Sequence, residues 1–509
     1  MAVTPSTAPC RPSLDEVRAL AAEHDLVPVV TELLADCDTP VSAFLRLGVA
    51  PGAFLLESVE GGERLARYSF LGRDPFCTIT LVGGVAVVAG GDGVEQSREP
   101  YTDPLVPVER AVARYRVAPL PAGTLPFAGG AIGFLSYEAA TRFERIPVAP
   151  RDPLGLPEGW FALVDTLIAF DHVTHRMVLL THARTPNGAD VGRAYADAVS
   201  RLDDLRDRLR RPLPPPATLP DESVAAAEIH ADETANFSRP DYMRAVERCK
   251  EYILAGDIFQ VQVGRRFAVP LRAEPFDVYR ALRSINPSPY MFFLATPACD
   301  IVGASPEMLV RVTGRSVEYH PIAGTRRRGA TPERDAFLER ELRESEKERA
   351  EHLMLVDLGR NDVGRVCQTG SVKVTEFMEI ERYSHVMHMV STITGELRDG
   401  CSAVDALRAC FPAGTVTGAP KVRAMEIIAE LEPETRGIYA GTVGYLGFGG
   451  NLDTAITLRT LLVKDGVAYA QASGGVVADS TPHEEALEID NKVAASLAAV
   501  ATANRGLEA

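Results

Sequence analysis

Two kinds of segment are missing from this sequence of 509 residues. No apolar run approaches the roughly 20 residues of a membrane-spanning helix, and the amino terminus has no basic region followed by an apolar one. Positive charge is also scarce, with 53 Lys and Arg against 69 Asp and Glu and a formal net charge of -16. Because nucleic acids and anionic membranes bind basic surfaces, we expect neither as a partner. We expect a cytoplasmic protein that holds any anionic substrate with a few placed cations or a metal.

Cysteine motifs are absent as well. The eight cysteines are scattered, with no Cys-x-x-Cys pair and no metal-ligand spacing, which favours reduced thiols over disulfides or a zinc site. None of them lies in a Gly-x-Cys-x-Gly turn, the strained elbow that would present a thiolate for glutamine hydrolysis. We therefore expect that the chain does not make its own ammonia.

A proline-rich stretch divides a chain that is otherwise rich in apolar residues. Its 46% hydrophobic content supports large buried cores, whereas RRPLPPPATLP, starting at residue 210, can form neither a helix nor a strand ladder. We predict one domain over residues 1–209, a linker over 210–222 and a second domain over 223–509. Alternating apolar segments predict antiparallel strands before the linker, and helices mix with strands after it. The predicted fold class is α+β with large antiparallel β-sheets.

Two predicted helices carry acidic pairs beside an apolar stripe. In DSTPHEEALEIDNK a capping box predicts the helix start, and in that register Glu485, Glu488 and Lys492 share one stripe. Glu348 and Glu351 lie three apart on another helix, a spacing that alone is more typical of a solvent-facing surface. Carboxylates from two helices would make a hard oxygen site suited to Mg²⁺. The competing idea, a di-iron bundle, would require Glu-x-x-His on two helices.

Histidines and glycine-rich loops leave alternatives open. His385 and His388 in SHVMH lack acidic neighbours, which favours single catalytic or core histidines over metal ligands. QASGGVVADS is predicted to place Ser473, Gly474 and Gly475 just after a strand, where free backbone N–H groups can hold an anion. GTVTGAPK opens a helix and offers a second anion site of that kind. Either loop alone is more often only a turn.

The carboxyl-terminal part predicts three strands joined by short turns, YAGTVGYLGF, LDTAITLRTLLV and GVAYAQA. In the second of these, Arg459 would share a strand face with Thr457. An inward arginine is costly unless it meets an anion, so its partner would be either a substrate carboxylate or an internal acidic side chain.

Seven segments together resemble the anthranilate synthase component I family of chorismate-utilising enzymes, in the same order, between about residues 50 and 500. They are LLES, NPSPYMFF, GASPEMLV, PIAGT, AEHLMLVDLGRND, GTVTGAPK and DSTPHEEALEIDNK. The resemblance implies a sandwich-like core with helices packed outside, regulatory elements in the first domain and a chorismate-binding catalytic second domain. It also implies Mg²⁺ as cofactor and the conversion of chorismate and ammonia to anthranilate and pyruvate, in tryptophan biosynthesis.

Residue roles are implied by the matching motifs. Glu351 and Glu488 would ligate Mg²⁺, supported by Glu348 and Glu485. Glu307 would protonate the departing 4-hydroxyl, for which burial must raise its pKa. The implied catalytic residues are Glu307, His388, Gln260, Thr325 and Lys492, with His388 acting in the second step, the loss of pyruvate. The implied substrate-binding residues are Gly324, Thr325, Tyr439, Arg459, Ser473, Gly474 and Gly475. One departure is visible, since relatives commonly show Ala-Gly-Ala-Gly where this chain has ASGG.

Two positions favour ammonia as the nucleophile. Relatives that add water carry a lysine base where this chain has Gln260, and glutamine cannot deprotonate water. Aminodeoxychorismate synthases carry a lysine nucleophile where this chain has Ala323. The resemblance therefore implies a glutamine amidotransferase small subunit that delivers ammonia, in a heterodimer or heterotetramer. The alternatives are an aminodeoxyisochorismate synthase, less readily an aminodeoxychorismate synthase, and, from another class, a non-catalytic tryptophan-sensing subunit.

LLES and NPSPYM resemble the tryptophan site of the family and imply feedback inhibition. The implied contacts are Glu57, Ser58, Pro289, Tyr290 and Met291. Taken alone, PYMFF predicts only a hydrophobic strand. The three arginines that follow PIAGT, Arg326, Arg327 and Arg328, receive no role from the sequence.

Overall fold

Two large antiparallel β-sheets dominate the computed structural model, which describes residues 9–58, 67–120, 125–186, 189–213, 235–383 and 386–507. The strands are β1 (Leu26–Leu34), β2 (Phe54–Glu57), β3 (Tyr68–Gly72), β4 (Cys77–Val82), β5 (Val85–Gly90), β6 (Glu95–Pro100), β7 (Gly130–Leu135), β8 (Gly159–Val164), β9 (Leu167–Asp171), β10 (Arg176–Arg184), β11 (Gln260–Pro270), β12 (Tyr290–Ala295), β13 (Asp300–Ser305), β14 (Met308–Thr313), β15 (Ser316–Tyr319), β16 (Ile322–Arg327), β17 (Lys373–Arg382), β18 (Val386–Glu396), β19 (Gly418–Ala419), β20 (Thr442–Gly447), β21 (Leu452–Ile456), β22 (Thr460–Lys464) and β23 (Val467–Val476).

The α-helices of the described residues are α1 (Leu14–Leu20), α2 (Pro40–Leu47), α3 (Leu105–Ala113), α4 (Val191–Leu209), α5 (Arg239–Leu254), α6 (Pro275–Ile285), α7 (Pro332–Glu344), α8 (Glu346–Gly364), α9 (Ala403–Cys410), α10 (Lys421–Leu431) and α11 (Pro482–Arg505). Short 3-10 helices cover Tyr137–Arg142 and Gly414–Val416. None of the helices in these ranges is long and apolar enough to cross a membrane.

The first sheet has 11 strands in the order β1-β10-β9-β3-β2-β12-β13-β22-β23-β11-β19. The second has 12 strands in the order β16-β18-β15-β14-β21-β20-β7-β8-β4-β5-β6, and β17 pairs with β18 beside that path. Neighbouring strands pair antiparallel. The predicted α+β class with large antiparallel sheets is confirmed.

Aromatic side chains from both sheets meet between them. Phe70 of β3 packs edge to face on Tyr445 of β20, with 6.2 Å between the ring centroids. Phe127 packs on the same tyrosine at 4.5 Å, and Phe54 of β2 and Phe134 of β7 belong to the same buried cluster. Because the inner faces of the two sheets share one apolar cluster, the core is sandwich-like, as expected.

Helices that carry the candidate site pack on these sheets. α11 packs on β23, α5 and α6, and α8 packs on β16 and β18. Ser238 caps α5 by accepting a hydrogen bond from the backbone N–H of Asp241. Thr481 caps α11 in the same way from Glu484, with Pro482 in the first turn. Both predicted helix starts are confirmed.

One predicted strand is wrong. The segment LDTAITLRTLLV is two strands, because β21 ends at Ile456 in the second sheet and β22 begins at Thr460 in the first. Arg459 lies in the connection with a φ of 48°, in the left-handed region that side-chain-bearing residues seldom adopt. Arg459 and Thr457 therefore do not share a strand face, because the chain crosses between the two sheets at this point.

Strands from both sides of the predicted linker contribute to each sheet. β2 pairs with β12 in the first sheet, and β7 pairs with β20 in the second. α4 ends at Leu209, and residues 214–222 of the predicted linker lie outside the described residues. The division into residues 1–209 and 223–509 stays a prediction.

Candidate functional site

A bulge in β16 brings three predicted residues together. The register with β18 shifts between Ala323 and Thr325 and leaves Gly324 as the extra residue, with a φ of 63°. Thr325 pairs with His388 across the ladder, and its Oγ1 lies 3.0 Å from Nδ1 of His388. A Cβ on Gly324 would lie 3.0 Å from Oε2 of Glu348. The bulge therefore places the histidine, the threonine and the acidic helix α8 side by side.

The His388 ring is neutral at physiological pH, and its Nε2 has no hydrogen-bond partner among the residues that the structure describes. Its Nδ1 lies 3.3 Å from the carbonyl oxygen of Gly324, and because a carbonyl only accepts, the hydrogen sits on Nδ1. Burial lowers the pKa of His388 to about 4; the Gly324 hydrogen bond opposes this shift and the charge of Arg459 adds to it. Nε2 can therefore accept a proton at neutral pH. Its predicted companion His385 lies outside the described residues.

Glu307 is held rigidly just after β13 and is only 5% exposed. Its backbone N–H donates to Oγ of Ser305 over 3.3 Å, and its carbonyl accepts from the N–H of Ile456 over 3.1 Å. Burial raises the pKa of the carboxyl to about 8, partly offset by the hydroxyl of Thr415. That hydroxyl is close to Glu307 but forms no hydrogen bond of ordinary geometry with a described residue. At neutral pH the carboxyl is therefore mostly protonated.

The crossing from β21 to β22 leaves part of β23 without a neighbour on one side. β22 pairs with β23 only as far as Leu461 opposite Ala470, whereas β23 continues along β11 to Val476. On the β22 side, the backbone of residues 473–475 therefore has no strand partner in the described part of the chain. These residues lie inside β23 rather than after a strand, which corrects the prediction. The edge is free because β22 begins too late in the chain to pair with this part of β23.

Arg459 stands immediately before β22, at the start of this gap. Its carbonyl accepts from the N–H of Ala304 over 3.2 Å, but its guanidinium makes no hydrogen bond or ion pair with any residue that the structure describes. Burial lowers the pKa of Arg459, and the nearby Tyr439 opposes that shift. Of the two partners expected for this arginine, an internal carboxylate is not found in the described ranges. The arrangement therefore favours an anionic ligand.

Tyr439, Ser473 and Lys492 form a connected group along the free edge of β23. The Tyr439 hydroxyl lies 2.8 Å from Oγ of Ser473, which also lies 2.9 Å from Oε1 of Gln262. Lys492 donates from Nζ to the carbonyl of Ser473 over 2.8 Å and pairs with Glu488 at 2.6 Å. This group connects β23 to the acidic stripe of α11.

Two glycines of β23 allow this strand to lie against polar side chains from other elements. A Cβ on Gly474 would lie 2.5 Å from Oε2 of Glu485, and a Cβ on Gly475 would lie 3.1 Å from Nε2 of Gln260. Gln260 in turn donates from Nε2 to Oε1 of Glu351 over 3.0 Å. Larger residues would separate β23 from α11 and from the Gln260 contact with α8.

The four predicted carboxylates of α8 and α11 influence one another. Burial raises the pKa of Glu351, and the charges of Glu348 and Glu488 raise it further against the Gln260 hydrogen bond. Burial also raises the pKa of Glu485, and Glu488 adds to that shift. Glu488 therefore interacts with acids on both helices. Because like charges at short range repel, the arrangement favours a bound cation.

Partners divide these carboxylates into two pairs. Glu348 pairs with Arg326 at 3.0 Å, and Glu485 accepts from Oγ of Ser480 over 2.7 Å. Glu351 and Glu488 use one oxygen each, toward Gln260 and Lys492 as described above. Within the described ranges, no group of three or more His, Cys, Asp or Glu side chains is arranged to hold a metal ion.

The arginines after the bulge hold neighbouring helices in place. Arg326 reaches Glu348 at the start of α8, and Arg328 pairs with Asp335 of α7 at 2.8 Å. Arg327, between them, is exposed. Arg326 and Arg328 therefore attach both helices to β16, a structural role that the sequence did not indicate.

A separate cavity of about 510 Å³ lies between the two sheets. The five residues implied for tryptophan all line it, namely Glu57, Ser58, Pro289, Tyr290 and Met291. Glu57 accepts hydrogen bonds from Tyr279 and Arg283. Oγ of Ser58 is buried without a partner among the described residues. Further walls come from β14, β20 and β21, so the cavity touches both sheets.

Comparison with known proteins shows the family of this chain. The family model described as chorismate binding enzyme matches residues 58–498. The chain belongs to the chorismate-binding enzyme family. Among its relatives, anthranilate synthase component 1 of Pseudomonas aeruginosa is 48% identical over 497 residues, 97% of this chain and 99% of that protein. The protein of the same name from Acetivibrio thermocellus is 46% identical over 493 residues, 96% and 98% of the two chains.

A solved structure gives the same result for the fold. The crystal structure of anthranilate synthase component I from Streptococcus pneumoniae matches with a TM-score of 0.73 and 34% identity. The match covers 91% of this chain and 98% of that one. The similarity therefore extends over both sheets and both sides of the predicted linker.

The sequence did not predict a buried ion pair close to the candidate site. Arg436 pairs with Glu432 at 2.6 Å, with both side chains nearly inaccessible. The guanidinium also donates to the carbonyls of Val416 and Gln262. Arg436 thereby connects Val416, which follows the Thr415 hydroxyl near Glu307, to β11, whose Gln262 contacts Ser473. The spacing of four residues was the only available signal, and it is typical of exposed helical pairs.

Proposed function

We propose that this chain is the chorismate-converting subunit of an anthranilate synthase, a lyase that turns chorismate and ammonia into anthranilate and pyruvate. This would be the first committed step of tryptophan biosynthesis. The observation that carries the proposal is identity of 46–48% over nearly the full length with proteins named for that activity. The same relatives favour it over aminodeoxyisochorismate or aminodeoxychorismate synthesis. The presence of a buried acid, a neutral base and cationic side chains favours an enzyme over a sensing subunit.

In the first step, ammonia adds to C2 of chorismate, both ring double bonds shift (C1=C2 to C1=C6 and C5=C6 to C4=C5) and the C4–O bond breaks. The protonated carboxyl of Glu307 donates its proton to the departing oxygen, which leaves as water. Its pKa near 8 keeps that proton available at neutral pH. Gln260 and Ala323 provide no amine, so neither a lysine base for water nor a lysine nucleophile competes with ammonia.

In the second step, Nε2 of His388 takes the proton from C2 and the bond between C3 and the enolpyruvyl oxygen breaks. The ring becomes aromatic, and the released enolpyruvate takes up a proton and leaves as pyruvate. The contacts of Thr325 and Gly324 with Nδ1 keep the hydrogen on that nitrogen and the ring in one orientation. The low pKa of His388 ensures that the base is unprotonated before the step.

We assign the enolpyruvyl carboxylate to the free edge of β23. The guanidinium of Arg459, the hydroxyl of Tyr439 and the backbone of residues 473–475 would hold it, and Lys492 would add positive charge. The support for this assignment is that, among the described residues, the Arg459 guanidinium has no partner and no strand covers the neighbouring edge of β23. A chain with a net charge of -16 can bind a dianion in this way because the few cations are concentrated at one place.

We also propose Mg²⁺ as the cofactor, held by Glu351 and Glu488 with Glu348 and Glu485 behind them. The residues fit the ion, since Oε2 of Glu485 is buried without a partner among the described residues. Burial raises the pKa of Glu351 and of Glu485, and the charges of neighbouring carboxylates raise both further, which a bound cation would offset. Mg²⁺ commonly uses only one or two protein carboxylates and completes its shell with water and substrate. When bound, it would polarise and neutralise the ring carboxylate.

The proposed ammonia source is a glutamine amidotransferase small subunit, in a heterodimer or heterotetramer. The sequence supports this because it has no thiolate elbow for glutamine hydrolysis. The relatives are named component 1, which agrees with a second component. A cytoplasmic location is part of the proposal and is supported by eight free cysteines.

We propose that tryptophan inhibits the enzyme from the cavity between the sheets. The carboxylate of Glu57 would meet the amino group, and the unpaired hydroxyl of Ser58 would gain a partner. Tyr290 of β12 donates to Asp453 of β21 over 3.1 Å. β12 pairs with β13, which leads to Glu307, and β21 leads to Arg459. A ligand in the cavity would therefore press on the strands that position both residues.

The test is to incubate the purified chain with chorismate, Mg²⁺ and an ammonium salt and to identify the product by fluorescence and mass spectrometry. Anthranilate is the expected product, whereas aminodeoxyisochorismate, 4-amino-4-deoxychorismate or isochorismate would refute the proposal. Removal of Mg²⁺ with a chelator should stop turnover, and added Mg²⁺ should restore it. Millimolar tryptophan should inhibit the wild type, and absence of inhibition would remove the regulatory part of the proposal.

A further inference from the structure

Gln262 on β11 lies at the candidate site, yet no motif of the sequence gives it a role. It is two residues from Gln260, so the two side chains leave the same face of the strand. Across the ladder, Gln262 lies opposite Gly475 of β23. Its side chain is buried, with the whole residue 8% exposed. A buried primary amide needs partners for both its oxygen and its nitrogen.

The oxygen of this amide has a partner in Ser473. The Ser473 hydroxyl donates to Oε1 of Gln262 over 2.9 Å, because an amide oxygen can only accept. Ser473 has a single hydroxyl hydrogen, so its second contact, 2.8 Å from the Tyr439 oxygen, must be one that it accepts. Hydrogen-bond donation therefore runs from Tyr439 to Ser473 to Gln262. Gln262 determines which way the Ser473 hydroxyl points.

The nitrogen of the amide has no partner among the described residues. A Cβ on Gly475 would lie 2.8 Å from Nε2 of Gln262 and 3.1 Å from Nε2 of Gln260. Gln260 donates from its nitrogen to Glu351. The two N–H groups of Gln262 lie near the backbone of Gly475 and have no acceptor among the described residues. This is the part of β23 whose opposite edge has no strand neighbour among the described residues.

Two sets of donors without partners among the described residues therefore lie near Tyr439. Arg459 lies close enough to Tyr439 to feel its charge, and Gln262 reaches the same tyrosine through Ser473. No acceptor side chain in the described residues pairs with either the guanidinium of Arg459 or the Gln262 nitrogen. Unpaired donors at low exposure are costly unless a ligand supplies the acceptor, and a carboxylate has room for both.

We propose that Gln262 is an additional substrate-binding residue, whose Nε2 donates to the enolpyruvyl carboxylate held by Arg459 while Oε1 orients the Ser473 hydroxyl. The inference rests on the proposed function for the identity of the ligand. It adds a neutral donor to the cationic contacts, and it gives the Ser473 hydroxyl a fixed acceptor. The amide contributes to binding of the substrate and not to the bond-breaking steps.

Three variants separate the two ends of the amide. Gln262→Leu removes both ends, Gln262→Glu keeps the acceptor for Ser473 but replaces the donors with a charge, and Ser473→Ala removes only the hydroxyl. Gln471→Leu is the matched control, because Gln471 is equally exposed at 8% and lies on the same strand as Ser473. Steady-state rates are measured against chorismate at saturating Mg²⁺ and ammonium, and chorismate binding is measured by calorimetry.

We expect both Gln262 variants to raise KM for chorismate about ten- to hundredfold, the effect of losing a hydrogen bond to a charged group. Their kcat should stay within about threefold of the wild type, as expected for a uniform binding contact. Gln471→Leu should change KM by less than about threefold, and Ser473→Ala, which keeps the backbone of β23, should raise KM clearly less than either Gln262 variant does. Calorimetry should show the same loss of chorismate affinity in Gln262→Glu.

Several results would overturn the inference. Wild-type KM in Gln262→Glu would show that the donors are not used, and this variant decides the matter if Gln262→Leu fails to fold. An equal loss in Ser473→Ala would show that Gln262 acts only through the serine. A fall in kcat without a change in KM would assign it to the chemical steps. If the wild type makes a product other than anthranilate, the proposed function fails, whereas calorimetry still decides whether Gln262 binds chorismate.

Discussion

Replacing Glu307 by glutamine tests the acid of the first step most directly. With a pKa near 8, only about one carboxyl in ten is ionised at pH 7. Glutamine keeps the volume and the neutral polar character of the buried side chain but has no acidic proton. We expect kcat/KM at pH 7 to fall about 10²- to 10⁴-fold, the contribution typical of a positioned general acid. Chorismate affinity should be nearly unchanged.

The same substitution should change how stability depends on pH. In the unfolded chain the carboxyl titrates near 4.5, and in the folded protein burial keeps it protonated up to about pH 8. A group with a raised pKa in the folded state contributes stability that is fully present below 4.5 and is lost as the pH rises to 8. The difference corresponds to at most about 5 kcal/mol. Glutamine does not titrate, so the variant should gain stability relative to the wild type across this window.

Two assays test separately the role of Glu307 as an acid and the effect of burial on its pKa. Anthranilate fluorescence is followed at a constant concentration of free ammonia, and unfolding by denaturant is measured at pH 5 and pH 8. Glu247→Gln, at an exposed position of α5, is the control for both assays. A wild-type rate in Glu307→Gln would refute the acid role. An unfolding free-energy difference between variant and wild type that is the same at both pH values would refute the raised pKa.

The remaining predictions concern the surroundings of the site. Thr415→Val removes the hydroxyl that lowers the pKa of Glu307, so the alkaline limb of kcat/KM should move to higher pH; a downward shift would contradict the assignment. Arg436→Met leaves Glu432 as a buried unpaired charge and should destabilise the fold by about 3 to 5 kcal/mol. Adding Glu432→Gln should restore part of that loss in denaturant unfolding, and no recovery would argue against the ion pair. Gly324→Ala places a Cβ at a φ of 63° and should cost roughly 1 to 2 kcal/mol, which an unchanged Tm would contradict.

Local sequence patterns predicted the helix starts correctly because capping is a short-range interaction. Ser238 and Thr481 accept from the backbone three residues ahead, so both partners are visible in a few letters of sequence. The acidic stripe of α11 was visible for the same reason, since helical spacing of three and four residues sets which side chains are neighbours. The facing of that stripe toward α8 depended on packing between helices far apart in the chain.

The same local patterns failed at Arg459. The run LDTAITLRTLLV is uniformly strand-like, and nothing in its residues marks the point where the chain leaves one sheet for the other. Because of that crossing, β22 begins only at Thr460 and does not cover the end of β23. The arginine beside this open edge has no acidic partner in the described ranges. Sheet membership is decided by long-range pairing, so periodicity along the chain does not reveal it.

What the sequence determined by itself is the chemical inventory of this protein. It placed glutamine at position 260 and alanine at position 323, so no lysine can act there, and it supplied the carboxylates that suit Mg²⁺. Tertiary structure alone decided the properties of those groups. The proton on Glu307, the neutral ring of His388 and the row from Tyr439 to Gln262 all come from burial and contacts between distant segments. Such properties depend on which atoms surround a group in space, and only the folded chain defines those neighbours.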